Sequence, residues 1–215
     1  MNKIKLILIG CGPHAKRIYL PAIEKLRKRI DIELLLVVDL YVTKDSVARA
    51  INQTTLKPQM WFIDPFTNEI PAQLEDRLSE FVKENNINGV IIATEPLVHK
   101  AYADWALRNK LNILIDKPIT ARVDSTSRLS SADGILDDYI SLLELYKNVQ
   151  KTQETVFVIN SQRRFHAGFC FVEKLIREIG DKTNCPVTFI QSYHSDGQWR
   201  FPSEIVTQDY HPYCS

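Results

Sequence analysis

The sequence predicts an α/β protein that begins with a doubly wound parallel sheet and continues into an incomplete α+β second domain. Short apolar segments alternate with amphipathic ones through the first 160 residues. A glycine-rich turn follows the first apolar segment, and an acidic residue closes the second. Strands that alternate with helices at this spacing favour a parallel sheet with helices on both faces.

The strands are expected wherever a short apolar run is bounded by turn residues, because a strand buried on both faces is apolar throughout. The clearest run is residues 34–38, where five consecutive side chains are Leu or Val. The six expected strands are residues 4–9, 33–38, 60–63, 89–93, 112–115 and 156–160.

The helices are expected where apolar residues recur every three or four positions. In the first of them Pro21 removes one backbone hydrogen bond, and we expect a bend there. The expected helices are residues 14–29, 45–52, 72–85, 97–109, 136–150 and 168–179.

Past residue 120 the pattern changes. Residues 120–134 are rich in Ser, Thr and Asp and predict a loop, and residues 187–193 predict one more strand. A single strand cannot form a sheet alone, so the second domain is expected to be partial. The expected organisation is a dinucleotide-binding domain over 1–121, a connecting helix and last sheet strand over 122–160, and a partial substrate or oligomerisation domain over 161–215.

Composition excludes several classes of function. The net charge is +1, from 27 basic and 26 acidic side chains, which gives no field for nucleic acid or an acidic membrane. The first apolar run is shorter than the roughly 7 to 15 residues of an export signal. The four cysteines form no C-x-x-C pair, which argues against a metal site and fits a reducing compartment. We therefore expect a cytoplasmic protein that binds a small molecule.

The turn after the first strand has the form G-x-G-x-x-A between a strand and a helix. Gly10 permits the tight turn, Gly12 lets the backbone approach a diphosphate, and Ala15 permits close packing of helix on strand. The positive end of the helix favours an anion. The motif predicts the dinucleotide site of a Rossmann fold, and an ordinary strand-to-helix turn is the alternative.

Asp39 closes the second apolar run. An acid at this point hydrogen-bonds the adenosine ribose and repels a 2′-phosphate, which favours NAD over NADP. Lys44, nearby, would soften that preference. The alternative is a turn residue that ends a strand.

Two further segments follow the fourth and fifth strands, and both are expected at the carboxyl edge of the sheet, where ligands of this architecture bind. The first runs from Ala93 to His99, and the second is Asp116-Lys117-Pro118. Taken singly, His99 is as well explained as a core histidine and Lys117 as a surface lysine.

Together these motifs resemble the Gfo/Idh/MocA family (glucose–fructose oxidoreductase and inositol 2-dehydrogenase), in the order glycine fingerprint, acid, A-T-x-P-x-x-H and E-K-P. Asp116 stands in place of the usual Glu, and the segment 162–165 is similar to that family's R-[FY] segment. The resemblance implies an NAD(P)-dependent dehydrogenase or reductase that moves a hydride to or from a hydroxyl-bearing carbon of a sugar or polyol. It implies Lys117 and Arg164 as catalytic residues. The implied cofactor-binding residues are Gly10, Cys11, Gly12, Pro13, His14, Ala15, Asp39, Thr94, Glu95, Pro96, His99, Asp116 and Lys117.

The C-terminal region departs from the family pattern. Members usually run past 300 residues, and their D-x-x-x-H segment lies beyond the region where this sequence stops. Asp209-Tyr210-His211 has the wrong spacing, and His194 and His211 are better explained as loop histidines. The expectation is a C-terminally shortened family member that forms a homo-oligomer through its C-terminal region. The alternatives are a non-catalytic dinucleotide-binding or sensor protein and a truncated gene product with an unstable tail.

Overall fold

The computed structural model describes residues 3–125, 127–161 and 166–191. Within them, six parallel strands form one sheet in the order β3-β2-β1-β4-β5-β6. This order, with crossovers to both sides of β1, is that of a doubly wound Rossmann sheet, so the predicted α/β class with a doubly wound parallel sheet is confirmed. The strands are β1 (Ile4–Ile9), β2 (Ile32–Leu40), β3 (Gln59–Ile63), β4 (Gly89–Ile92), β5 (Asn112–Asp116) and β6 (Phe157–Asn160).

The helices occupy the predicted segments, with shifted ends in several cases. Two short 3-10 turns, Tyr41–Thr43 and Pro96–Val98, precede the third and fifth of them. The α-helices are α1 (Pro13–Arg17), α2 (Tyr19–Leu26), α3 (Lys44–Asn52), α4 (Ala72–Asn85), α5 (His99–Arg108), α6 (Leu129–Gln150) and α7 (Ala167–Thr183).

Two apolar clusters lie on opposite faces of the sheet, because alternate residues of each strand point to opposite sides. On one face Ile7 and Ile92 pack with Trp105 of α5. On the other face Leu8 packs with Leu20 of α2. Burying one large apolar side chain stabilises the fold by about 1.5–3 kcal/mol. Both faces of the sheet are therefore covered, and its carboxyl edge is left to form the site.

The first helix breaks earlier than predicted. The bend was expected at Pro21, but the helix is interrupted at Ile18, where φ is −113°. Pro21 has no N–H for the carbonyl of Arg17, four residues earlier, and its ring crowds that carbonyl. The break therefore falls one turn before the proline and separates α1 from α2.

The prediction of a loop through residue 134 was wrong, because α6 begins at Leu129. Arg122 donates to both carboxylate oxygens of Asp138, at 2.8 and 2.7 Å, and its guanidinium lies directly on Gly134. A Cβ at Gly134 would stand 1.8 Å from an Arg122 nitrogen. This tertiary contact overrides the weak helix propensity of the Ser- and Gly-containing segment.

Contacts between residues divide the chain into two units, and the boundary falls at Ser161. In the second unit, α7 is capped by His166, whose side chain accepts from the Gly168 N–H at 3.2 Å. None of the α7 residues is buried. The strand predicted at 187–193 was wrong over 187–191, where no strand forms, because the described part of this unit offers no strand to pair with.

None of the described helices is both long and apolar enough to cross a lipid bilayer.

Candidate functional site

A cleft of about 210 Å³ opens at the carboxyl edge of the sheet, where β1, β2, β3 and β4 end. Its polar rim comes from three of the predicted segments, namely the glycine turn, Asp39 and the segment after β4. Its wall is apolar. The lining residues are Ile9, Gly10, Gly12, Val38, Asp39, Leu40, Ile63, Pro65, Phe66, Ala93, Thr94, Glu95, Val98 and Tyr102.

Gly10 fixes the floor of this cleft. Its φ is +85°, a left-handed conformation that side chains disfavour, and its N–H donates to the Val38 carbonyl at 2.8 Å. A Cβ on Gly10 would stand 2.5 Å from the carbonyl oxygen of Ala93. Only glycine lets the chain turn here while β4 ends against it.

Gly12 serves a different purpose. Its backbone has ordinary extended angles, and a Cβ there would meet no atom within 4 Å. Gly12 is also the N-cap of α1, with no side chain bonded to the cap. The first-turn N–H groups have no acceptor within the helix. The open space beside Gly12 therefore leaves room for an anionic group to approach the backbone.

Asp39 joins the end of β2 to the glycine turn. One carboxylate oxygen accepts from the Cys11 N–H at 2.7 Å, and the other accepts from the Leu40 N–H at 2.7 Å. A carboxylate has about four acceptor positions, so both oxygens can also accept from a ligand hydroxyl. The Cys11 side chain is buried, and burial raises the pKa of its thiol to about 11. Cys11 therefore supplies a backbone donor and not a reactive thiolate.

His99 lies beneath the cleft and not on its surface. Its side chain is fully buried. Nδ1 lies 2.7 Å from the Pro118 carbonyl oxygen, and Nε2 lies 3.1 Å from that of Thr94. The imidazole therefore bridges the segments that follow β4 and β5. Burial lowers the pKa of His99, although the two facing carbonyls act in the opposite direction.

A cluster of polar side chains lies at the ends of β5 and β6. Tyr19 of α2 donates its hydroxyl hydrogen bond to Asp116 Oδ1. Asn160 Nδ2 donates to the Tyr19 oxygen at 2.6 Å and to Asp116 Oδ1 at 2.9 Å. His14 Nε2 lies 3.9 Å from the same Asp116 oxygen. Lys117, half-buried, follows Asp116 directly, and its peptide bond to Pro118 is cis.

Sequence reasoning missed Tyr19 and Asn160. Tyr19 lies on an otherwise apolar helix face, and its ring meets the His14 ring edge-on at 5.5 Å between centroids. The available sequence signal for Asn160 was its place at the end of the predicted strand 156–160, and the structure pairs it with Asp116 at the end of β5.

The predicted site residues are thus distributed over three places. Five of them line the cleft, namely Gly10, Gly12, Asp39, Thr94 and Glu95. The side chains of Cys11, Ala15, Pro96 and His99 are buried, whereas Pro13 is exposed. Asp116 and Lys117 lie at the end of β5, and His14 of α1 lies beside Asp116. Arg164, His194 and His211 lie outside the described residues.

A larger cleft of about 760 Å³ lies away from the glycine turn, against α5, residues 120–123 and Asp138 of α6. Its three cationic side chains are each paired with an acid: Lys100 with Asp104, Arg108 with Glu75 and Arg122 with Asp138. The smaller cleft is the candidate dinucleotide site, because the glycine turn and Asp39 meet there.

The sheet order, the Gly10 turn and the acid at the end of β2 define a dinucleotide-binding protein of the Rossmann class. The model of the family described as "Oxidoreductase family, NAD-binding Rossmann fold" (Gfo/Idh/MocA) matches residues 4–132, more than half of the chain. The chain belongs to this family. No curated protein matches it by sequence.

Solved structures agree on the fold. The chain is similar to the WlbA dehydrogenase from Bordetella pertussis in complex with NADH and UDP-GlcNAcA (19% identity, TM-score 0.56, 83% of this chain and 42% of that one). It is also similar to KijD10, a 3-ketoreductase from Actinomadura kijaniata in complex with NADP (18% identity, TM-score 0.55, 82% of this chain and 44% of that one). A third match is myo-inositol 2-dehydrogenase from Lactobacillus plantarum (16% identity, TM-score 0.56, 84% of this chain and 42% of that one). The chain therefore spans less than half the length of these structures.

Replacing Gly10 is expected to destabilise the fold, and replacing Gly12 is not. In Gly10→Ala the left-handed backbone alone costs about 1–3 kcal/mol, and the contact with the Ala93 carbonyl adds to that cost. Gly12→Ala is the matched control, because its Cβ enters open space. Urea unfolding followed by circular dichroism measures both. Equal free energies of unfolding for the two variants would contradict the role of Gly10.

His99 is expected to make stability depend on pH. Because its folded pKa lies below 6.5, the unfolded chain takes up a proton that the folded chain resists. The contribution of neutral His99 to the free energy of unfolding is complete above pH 6.5 and is lost as the pH falls below that value. Urea unfolding between pH 7.5 and 5.0 should show the wild type losing stability relative to His99→Gln. If the wild type instead gained stability relative to His99→Gln on acidification, a protonated His99 would have to bridge the two carbonyls.

Proposed function

We propose that this protein is an NAD-dependent dehydrogenase or reductase that acts on a hydroxyl-bearing carbon of a sugar or polyol. The observation that carries the proposal is the bond between Asp39 and the glycine turn. It brings a carboxylate and the open backbone at Gly12 to one cleft. These two features fit the ribose and diphosphate of a dinucleotide.

The diphosphate is proposed to lie beside Gly12. A phosphate group needs backbone donors and space to approach them, and a side chain at this position would fill that space. Pro13 as the first residue of α1 suits the helix start, since a donor at that position has no acceptor within the helix in any case.

The adenosine is proposed to lie between Asp39 and the apolar wall of the cleft. A hydrogen bond from a ribose hydroxyl to a carboxylate contributes about 1.5–3 kcal/mol. The wall beyond it includes Phe66 and Tyr102, whose rings meet edge-on with centroids 5.4 Å apart. An apolar wall of this kind suits a purine. A 2′-phosphate on the ribose would bring its negative charge against Asp39, which supports NAD over NADP.

The chemistry is proposed for the end of β5. When bound, the nicotinamide supplies or accepts the hydride. Lys117 is proposed to donate a hydrogen bond to the substrate oxygen that gains or loses a proton. Asp116 precedes Lys117 in the chain, and His14 Nε2 lies 3.9 Å from the Asp116 carboxylate. We propose that these two side chains orient the nicotinamide end of the cofactor. We propose Arg164 as a second catalytic residue.

Removing the charge of Asp39 tests the cofactor site. Asp39→Asn keeps an acceptor for the glycine turn but weakens the ribose contact, so the NADH dissociation constant should rise about tenfold or more. The preference for NADH over NADPH should shrink as well. Fluorescence titration of the full-length gene product with both dinucleotides measures this. The control is Asp133→Asn, an exposed acid on α6. Failure of the wild type to bind either dinucleotide would overturn the proposed function.

Removing the Lys117 amine tests the reaction. In Lys117→Ala, turnover of NAD or NADH with polyols or their keto forms should fall by about 10²–10⁴-fold. The NADH dissociation constant should change little. The control is Lys57→Ala, an exposed lysine. Unchanged turnover would remove Lys117 from the mechanism. Dinucleotide binding by the wild type without turnover of any such substrate would favour the sensor alternative.

Two further expectations stay predictions, namely a cytoplasmic location and a homo-oligomer that assembles through the C-terminal region.

A further inference from the structure

We infer that Tyr19 and Asn160 are positioning residues that hold Asp116, and with it the starting point of the Lys117 side chain, at the end of β5. This inference rests on the proposed function, because it assigns to Lys117 the role described above. It concerns residues outside the cofactor motifs, one on α2 and one on β6.

The side chains of Tyr19, Asn160 and Asp116 form a closed triangle of hydrogen bonds, in which every polar hydrogen of Tyr19 and Asn160 has an acceptor. The Asn160 amide has two N–H groups, and its two acceptors are the Tyr19 oxygen at 2.6 Å and Asp116 Oδ1 at 2.9 Å. The Tyr19 hydroxyl donates its single hydrogen to the same carboxylate oxygen. Asp116 therefore receives two donors on one oxygen, and its side chain is fixed relative to two other elements of the fold.

Tyr19 is suited to this role because it is nearly buried, with 6% of its surface exposed. Burial, and after it the hydrogen bond to Asp116, raises the pKa of the phenol well above its ordinary value. The hydroxyl therefore stays protonated at neutral pH and donates to Asp116. A buried donor with one acceptor has a single preferred geometry.

The triangle controls Lys117 through the backbone. Asp116 is the last residue of β5, it pairs with the last residue of β6, and Lys117 follows it without an intervening residue. Hydrogen bonds to the Asp116 side chain from α2 and from the end of β6 fix the strand end from which the lysine leaves. Displacement of a reacting group by about 1 Å costs a factor of about 100 in rate, so a loosened strand end should lower turnover.

Tyr146 provides a matched control. It is a half-buried tyrosine of the same unit, and its hydroxyl donates to the Thr155 carbonyl at 3.1 Å, away from the triangle. Tyr146→Phe and Tyr19→Phe each remove one hydroxyl that donates a hydrogen bond. Both keep the ring, so both should fold, and urea unfolding checks this.

The test compares Tyr19→Phe, Asn160→Ala and Tyr146→Phe in the full-length gene product. We expect Tyr19→Phe to lower kcat at least about tenfold, with the NADH dissociation constant within twofold of wild type. Asn160→Ala should lower kcat similarly, and the double variant should lose little more, because both act through Asp116. Tyr146→Phe should leave kcat within twofold. A Tyr19→Phe enzyme with wild-type kcat, or fully additive losses in the double variant, would overturn the inference.

A second measurement keeps this inference separate from the proposed function. Nitrogen-15 relaxation of the Lys117 and Ile119 amides reports their mobility whether or not the protein turns over a substrate. Tyr19→Phe should lower the order parameters of these amides, and Tyr146→Phe should not. Lowered order parameters in a protein without turnover would support the positioning role while the proposed reaction fails. Unchanged order parameters would overturn the positioning role itself.

Discussion

The site depends on the point where three strand ends meet at Gly10. The Gly10 N–H is bonded to the Val38 carbonyl, the Ala93 N–H is bonded to the Ile9 carbonyl at 2.8 Å, and no room is left for a side chain between them. Asp39 then closes the junction from the β2 side through the Cys11 N–H. Each bond contributes only about 1 kcal/mol net. Together they bring the glycine turn, the acid and the segment after β4 to one cleft.

Much of the fold followed from local sequence pattern. Strands such as β2 were predictable because five consecutive Leu and Val residues leave no polar face. The start of α6 was not predictable, since it depends on Arg122 reaching Asp138 across the chain. The strand predicted at 187–193 failed for the same reason, namely that local sequence does not determine tertiary contacts. A segment of β-forming residues becomes a strand only where a partner strand lies beside it. The presence of Pro21 correctly predicted that the first helix is interrupted. The interruption lies at Ile18 and not at the proline, because the carbonyl that Pro21 cannot bond belongs to Arg17.

The cofactor part of the candidate site was predictable from sequence, whereas the rest was not. Gly10, Gly12 and Asp39 carry fixed spacing relative to strand ends, and that spacing is visible in a single sequence. Tyr19 and Asn160 are 141 positions apart, and only the folded chain brings them together. His99 illustrates a third case. Its spacing from Thr94 correctly marked it as part of the segment from Ala93 to His99. Because its side chain is buried, however, it holds together the loops after β4 and β5 and is not exposed on their surface.

The contact between Arg122 and Gly134 has a consequence for sequence variation. Because the guanidinium occupies the volume that any side chain at 134 would need, the two positions are not independent. A larger residue at 134 would displace the Arg122 guanidinium from Asp138, and loss of the arginine likewise leaves Asp138, which is 8% exposed, without its cationic neighbour. Homologues that retain a helix beginning near 129 should therefore vary at 122, 134 and 138 as a set. Such covariation would mark a subgroup of the family by its connecting helix, independently of its cofactor motifs.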